Sequence, residues 1–164
     1  MEIKSADEQA DFDEVWEIFR KVISTGDTYV FDPGTPKDNL HPYWFADYMD
    51  TFVAVDDAKI VGTYILKPNQ IGLGDHVANC SYMVDPGRQG HGIGKALCGH
   101  SVDFARKKGY LAIQFNLVVS TNEGVVALWR KFGFEIIGRV PKAFRHKKLG
   151  LVDALIMYKD LATG

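Results

Sequence analysis

The chain is expected to be an α/β protein built on a mixed sheet. Three observations predict this. Two stretches with helical spacing precede a pair of short apolar strands joined by an Asp-Asp turn. A strand, a crossover helix and a second apolar strand follow, the arrangement that pairs strands in parallel. A further helix and two last strands close the chain.

Length and composition fit this class. The 164 residues favour one domain spanning 1–164 and suffice for a real core. Apolar residues make up 46% and charged residues 24%, ordinary for a globular protein. A formal net charge of −2 gives no global basic field, so neither nucleic acid nor an anionic membrane is expected as a partner. No apolar run reaches the roughly 18 residues of a membrane span and no signal-peptide pattern opens the chain, so a cytoplasmic setting is expected. Cys80 and Cys98 form no CxxC pair and sit among apolar residues, which reads as buried free thiols and no metal site.

The elements follow in order. Phe12, Val15, Trp16, Phe19, Val22 and Ile23 give an amphipathic helix over Asp7–Val22, with Ser5 or Asp7 as cap. Residues 24–36 carry Gly26, Pro33, Gly34 and Pro36 and read as a long loop whose Tyr29 and Phe31 either line a substrate pocket or pin the loop to the core. Thr35-Pro36 is expected to start a second helix to about Asp50, with Leu40, Tyr43, Trp44 and Tyr48 on one face. Phe52–Val55 and Ile60–Leu66 are hairpin strands around Asp56-Asp57. His76–Val84 is a third strand. A helix from Gly92 ends at Lys107-Lys108-Gly109, a basic turn closed by glycine. Leu111–Val119 is an apolar strand interrupted by Gln114 and Asn116. Thr121 or Asn122 caps a helix ending at Gly133, and Phe134–Val140 and Val152–Tyr158 are strands. Residues 141–151 are expected to be a basic loop, with Arg145-His146-Lys147-Lys148 read as a solvated run. His41 and His146 are isolated and read as surface or structural residues.

The stretch that organises the chain is Val84-Asp85-Pro86-Gly87-Arg88-Gln89-Gly90-His91-Gly92-Ile93-Gly94-Lys95. It joins a strand to a helix through four glycines. Small residues let backbone N–H groups approach an anion, and the helix aims its positive end at the same point. A phosphate cradle and an ordinary glycine turn both fit. Spacing excludes two phosphate motifs. A P-loop would need Gly at 89 and Ser or Thr at 96, where Gln and Ala stand. A dinucleotide fingerprint would need Gly at 97 or 95, where Leu and Lys stand.

The spacing Gln89-Gly90-His91-Gly92-Ile93-Gly94 resembles the Q-x-x-G-x-G loop of the GCN5-related N-acetyltransferase (GNAT) superfamily. Asn122-Glu123-Gly124-Val125-Val126-Ala127-Leu128-Trp129-Arg130-Lys131-Phe132-Gly133-Phe134 is similar to that family's second segment, N-x-x-A-x-x-L-Y-x-K-x-G-F. The resemblance implies a mixed sheet whose two parallel strands splay apart to admit acetyl-CoA, with no metal. The backbone of Met83 and Val84 would pair with the pantetheine arm, residues Gln89, Gly90, His91, Gly92, Ile93, Gly94 and Lys95 would hold the pyrophosphate, and Asn122 and Trp129 would complete the cosubstrate site.

The implied reaction is direct acetyl transfer to an amine, which needs deprotonation of the ammonium, stabilisation of the oxyanion and help for the leaving thiolate. Here the chain departs from the family, because Trp129 stands where a tyrosine usually protonates the sulfur, and an indole N–H is no such acid. Either the thiolate leaves unprotonated or another donor serves. Asn122 is the best replacement, a role that competes or coexists with plain helix capping, and Asn116 is a second catalytic candidate. Asn79, Tyr82 and Asn116, with Tyr29 and Phe31, are the candidate acceptor site, since an asparagine buried in an apolar strand calls for a polar partner. Tyr82, Tyr64 or a water chain are candidate bases. The set Asn79, Tyr82, Asn116, Asn122, with Trp129 and the ending Phe144-Arg145-His146, is also similar to the yeast acetyltransferase of the proline analogue azetidine-2-carboxylate, which implies a small amino or imino acid as acceptor. Two alternatives stay open: an acyl-CoA-binding module with weak catalysis, and a protein or peptide N-acetyltransferase. A homodimer is compatible with the sequence.

Overall fold

The computed structural model describes residues 1–162. In chain order the regular elements are β1 (Glu2–Ser5), α1 (Glu8–Ser24), β2 (Asp50–Asp56), β3 (Lys59–Pro68), β4 (Val77–Val84), α2 (Ile93–Lys108), β5 (Ala112–Val119), α3 (Glu123–Lys131), β6 (Glu135–His146) and β7 (Gly150–Asp160). Among the described residues the strands form one sheet in the order β1-β2-β3-β4-β5-β7-β6. Every neighbouring pair is antiparallel except β4 and β5. This is the expected mixed α/β architecture.

Two layers cover the sheet because alternate strand residues face opposite sides. Val53, Ile65 and Met83 point to the α1 side, where Val15, Ile18, Phe19, Val22 and Ile23 fill the core. Ala54, Tyr64, Cys80 and Tyr82 point to the other side, against Ile93, Leu97, Cys98 and Val102 of α2 and Trp129 of α3. Helix ends obey local chemistry. The Asp7 carboxylate accepts from the Gln9 and Ala10 amides and starts α1. Gly109, at φ +90°, closes α2 in the left-handed conformation. Gly62 lets α2 sit close on β3, since a Cβ there would lie 2.8 Å from the Ile93 side chain.

Three expectations are corrected. The second helix over Thr35–Asp50 does not form. Lys37–Asn39 is a short 3-10 turn and His41–Phe45 a single wide turn, with Pro42 removing a backbone donor inside it. Leu40 and Trp44 are fully buried while Tyr48 is 61% exposed, so these residues do not share one face. The basic loop at 141–151 is largely strand. Phe144, Arg145 and His146 pair with Val152, Leu151 and Gly150, and an irregularity between Val140 and Phe144 hides the alternation. Finally, β1 is an additional edge strand, too short and polar to stand out, held by register with β2.

His100 on α2 shares a hydrogen bond between its Nδ1 and the Tyr64 hydroxyl (2.7 Å) and packs against the Phe52 ring. Burial lowers its pKa, the Lys107 charge adds to the effect and Asp103 opposes it. The unfolded chain binds a proton near the ordinary histidine pKa that the folded chain refuses, so this contribution is present above about pH 6.5 and is lost as pH falls. The melting temperature is expected to drop between about pH 7.5 and about pH 5.5, and His100→Gln to remove roughly 2 °C of that drop. A pH dependence identical in the variant would overturn this role.

Candidate active site

The site is created by a failure of strand pairing. β4 and β5 pair in parallel only at Val77–Ala112 and Ala78–Ile113. Beyond these two pairs they diverge, and a cleft of about 980 Å³ opens between them. The Asn79 amide makes a last stitch, Nδ2 donating to the Gln114 carbonyl at 2.9 Å.

The direction of the β4 backbone decides what faces the cleft. The Val77 carbonyl accepts from Asn69 and the Asp85 N–H donates to Val61, both on the β3 side. The His76 carbonyl accepts from Leu111 on the β5 side. With a period of two, the backbone groups of Cys80, Tyr82 and Val84 face the cleft, and those of Met83 face β3. Met83 is therefore corrected. It lines the cleft but its N–H and C=O belong to the ladder opposite Thr63. Val84 keeps its expected position.

β4 runs into a 3-10 turn at Pro86–Arg88, then into glycines at φ +81° (Gly90) and +76° (Gly92). Gly92 stands at the N-cap of α2, with no side-chain capping bond and nothing within 4 Å of a Cβ built there. The first intrahelical bond to the Gly92 carbonyl comes from Ala96. The amides of Ile93, Gly94 and Lys95 precede it and lack intrahelical acceptors, as at any helix start. No acidic residue occupies this first turn. Arg88, Gln89, Gly90, Gly92, Ile93, Gly94 and Lys95 all line the cleft. His91 does not: it is exposed, and its Nδ1 lies 3.0 Å from the Gln89 carbonyl and 3.1 Å from that of Arg88.

The N-terminus of α3 opens on the same cleft. Asn122 occupies its N-cap position yet makes no side-chain capping bond, so the amide is not committed to the helix. Trp129 lines the inner wall, its ring 4.8 Å from that of Tyr82 and 5.1 Å from that of Phe115.

At the acceptor end several expectations change. The Tyr82 hydroxyl bonds the Ser101 hydroxyl at 2.7 Å, which in turn donates to the Cys98 carbonyl. Burial raises this phenol well above its ordinary pKa, with the nearby Cys80 acting in the same direction. Neither a base nor a substrate ligand is presented by that hydroxyl. Tyr64 is also excluded as a base, because burial pushes its pKa up and its hydroxyl is engaged with His100. Asn116 is exposed, contrary to the expectation of burial. Its Nδ2 donates to Asn69 Oδ1 (2.7 Å) and its Oδ1 accepts from Gln114 Nε2 (3.0 Å). The Asn79 side chain thus bonds the Gln114 backbone, and the Gln114, Asn116 and Asn69 side chains continue as a chain of amides at the closed end of the splay, next to the two parallel pairs.

Tyr29 and Phe31 have the contacts on the α1 core that the pinning role requires, Phe31 lying 5.0 Å from the Phe19 ring, and also border the cleft. The structure adds His146, which is half-buried and lines the cleft. Its Nδ1 accepts from the Lys148 and Leu149 amides at 3.1 Å each, which leaves the ring proton on Nε2. The Lys147 N–H donates to the Gly26 carbonyl at 2.9 Å and ties this hairpin to the 24–36 loop. In the sequence His146 stood in a basic run and in the Phe144-Arg145-His146 ending of the narrower resemblance, and nothing there tied its hairpin to Gly26.

The chain matches the model of the Acetyltransferase (GNAT) family over residues 12–134. The chain belongs to the GNAT family. Its fold is similar to a GCN5-related N-acetyltransferase from Kribbella flavida, with a TM-score of 0.91 and 38% identity over 97% of this chain and 96% of that one. A phosphinothricin acetyltransferase from Sinorhizobium meliloti, solved in complex with acetyl-CoA, shares the fold at a TM-score of 0.87 and 20% identity over 97% of this chain and 87% of that one. The N-acetyltransferase aca1 of Schizosaccharomyces pombe is 35% identical over 99 residues, which are 60% of this chain and 47% of that protein. The chain spans about half the length of that curated relative. Among the described residues no group of three or more His, Cys, Asp or Glu side chains is arranged to hold a metal ion, and no helix is long and apolar enough to cross a membrane.

Two predictions follow from this geometry. Gly92→Asp keeps the fold, because Asp tolerates the left-handed conformation and suits an N-cap, but it sets a negative charge at the open helix end. Acetyl-CoA affinity measured by calorimetry is expected to fall at least about tenfold, and unchanged affinity would refute the anion cradle. Burial pushes the Cys80 thiol up to about 12 and raises Cys98 as well. Both thiols should resist a thiol-specific reagent near pH 8 in the native protein and react after unfolding, and rapid native labelling would disprove their inertness.

Proposed function

We propose that this protein is an acetyl-CoA-dependent N-acetyltransferase acting on a small amine, organised as a single domain over 1–164. The observation that carries the reading is the open first turn of α2 at the mouth of the β4–β5 cleft. It offers uncommitted amides and a positive helix end to a pyrophosphate, beside a strand edge suited to an amide-bearing arm. The GNAT relatives solved with acetyl-CoA support the same cosubstrate here.

The chemistry is direct transfer. The acceptor loses its ammonium proton to solvent, and the neutral amine attacks the thioester carbonyl to give a tetrahedral oxyanion. This collapses with cleavage of the C–S bond as the remaining extra proton on nitrogen passes to solvent or to the leaving thiolate. The chain contributes orientation and hydrogen-bond donors. Asn122, free of a capping duty, is the donor we assign to the oxyanion or the departing sulfur. The sulfur can also leave unprotonated, since a thiol pKa near 8.5 makes the thiolate a tolerable leaving group. A covalent cysteine intermediate is disfavoured, because burial keeps Cys80 and Cys98 as neutral thiols.

For the acceptor we propose a small amino or imino acid. The hairpin end carrying His146 is bonded to the Gly26 loop and narrows the site against a peptide. The His146 Nε2–H and the Asn79 and Asn116 amides, which line the same cleft, are the donors we assign to the acceptor carboxylate. Tyr29 and Phe31 form the wall beside them.

Thiol release from acetyl-CoA across a panel of amino acids, imino acids, simple amines and short peptides tests this reading. Turnover with a free amino or imino acid is expected, with intersecting initial-rate plots. Asn122→Ala should lower kcat by about tenfold to a hundredfold with little change in acetyl-CoA affinity. Binding of acetyl-CoA without release across the whole panel would instead favour a binding module, and turnover confined to peptides a peptide acetyltransferase.

A further inference from the structure

The cleft-facing edge of β4 carries backbone groups that lost their strand partner when β5 turned away. Buried backbone N–H and C=O groups are rarely left unpaired. Tyr82 is the residue of β4 at which this is resolved by a side chain. The Tyr29 hydroxyl accepts from the Tyr82 N–H at 2.8 Å and donates to the Tyr82 carbonyl, so one phenol oxygen serves both groups as a neighbouring strand would. The hydroxyl is shielded from solvent, and its pKa is raised by that burial. The ring belongs to an aromatic row, 6.2 Å from Phe31, which lies 4.8 Å from Tyr43. Tyr29 is borne by the 24–36 loop, outside any helix or strand.

An extended arm laid along β4 as an added strand needs backbone partners at alternate residues, here Tyr82 and Val84. The Tyr29 hydroxyl occupies the first of these. It has one proton, donated to the Tyr82 carbonyl, and so cannot hold Tyr82 while an amide-bearing ligand does the same. We propose that Tyr29 is a placeholder for the pantetheine arm of acetyl-CoA: it satisfies the Tyr82 backbone in the empty protein and is displaced when the cosubstrate binds. The inference rests on the acetyl-CoA reading of the cleft. It assigns Tyr29 a competing role, where a plain lining residue would add to affinity. Release needs a change of Tyr29 rotamer or of the 24–36 loop, while Phe31 keeps its contact with Phe19.

Tyr29→Phe keeps the ring and removes the hydroxyl, so the sign of its effect is decisive. Titration by calorimetry with acetyl-CoA is expected to show tighter binding by about threefold to tenfold than wild type, because the competing bonds are gone. The nucleotide half of coenzyme A, which lacks the pantetheine arm, should bind both proteins equally. Equal or weaker acetyl-CoA binding by the variant would overturn the placeholder, as would equal tightening for both ligands. A fluorotyrosine at position 29 in the otherwise native chain gives a second readout by fluorine resonance. Its signal should move on adding acetyl-CoA and stay still with the nucleotide half, and a signal unmoved by acetyl-CoA would refute displacement. Wild type failing to bind acetyl-CoA at all would reject the cosubstrate reading itself, a result separable from any difference between the two proteins.

Discussion

Two parallel residue pairs, Val77–Ala112 and Ala78–Ile113, are where the β1–β4 half of the sheet is stitched to the half formed by β5, β7 and β6. Everything distinctive about the molecule follows from their being so few. Past them the strands separate, and each backbone group on the separating edges needs a partner or a ligand, because a buried amide left alone costs about 1–3 kcal/mol. The Asn79 amide takes the next position and the Tyr29 phenol the one after it. What remains is an edge and a cavity, with the start of α2 at its mouth.

The backbone supplies part of the electrostatics of the site, beside the cations Arg88 and Lys95. The ionisable groups of the inner wall are pushed toward neutrality: the Tyr82 and Tyr29 phenols and both thiols are raised by burial. Burial produces this effect, with Trp129 and Phe115 beside Tyr82 and Phe31 beside Tyr29, and it makes side-chain nucleophiles unavailable. Helix N-termini supply positive potential without a charge to desolvate. A protein built this way holds and orients its ligands more than it reacts with them, which suits a transfer between two bound molecules.

Much of the fold was legible. The glycine turn, the α2 stop at Gly109 and the α3 stop at Gly133 are local signals, each tied to a backbone conformation that glycine adopts readily. The crossover helix between two apolar strands carried the parallel pairing. Legibility failed where local and tertiary preferences diverged. Leu40 and Trp44 are spaced as in a helix, yet Pro42 and the demand to bury Trp44, whose indole donates to Thr63, break the segment into turns. In β6 the irregularity before Phe144 shifts the alternation by which a strand is recognised. In the site, Asn79, Asn116 and His146 show the same limit. Residue type suggested polarity with a purpose, but partners 35 and 47 positions away in the chain decided how each amide is used.

By itself the sequence determined the donor end of this protein: the Gln89–Gly94 spacing, its place between a strand and a helix, and the Asn122–Phe134 segment are contiguous, and contiguous patterns survive without coordinates. Only the tertiary structure decided the rest of the cleft. Which way the β4 backbone faces, which hydroxyl rests on Tyr82 and which histidine reaches the cleft depend on the divergence of β5 and on a hairpin bonded to Gly26. Those contacts join residues distant in sequence, and hydrophobic burial of the two sheet faces, a collective property of the whole chain, sets their register.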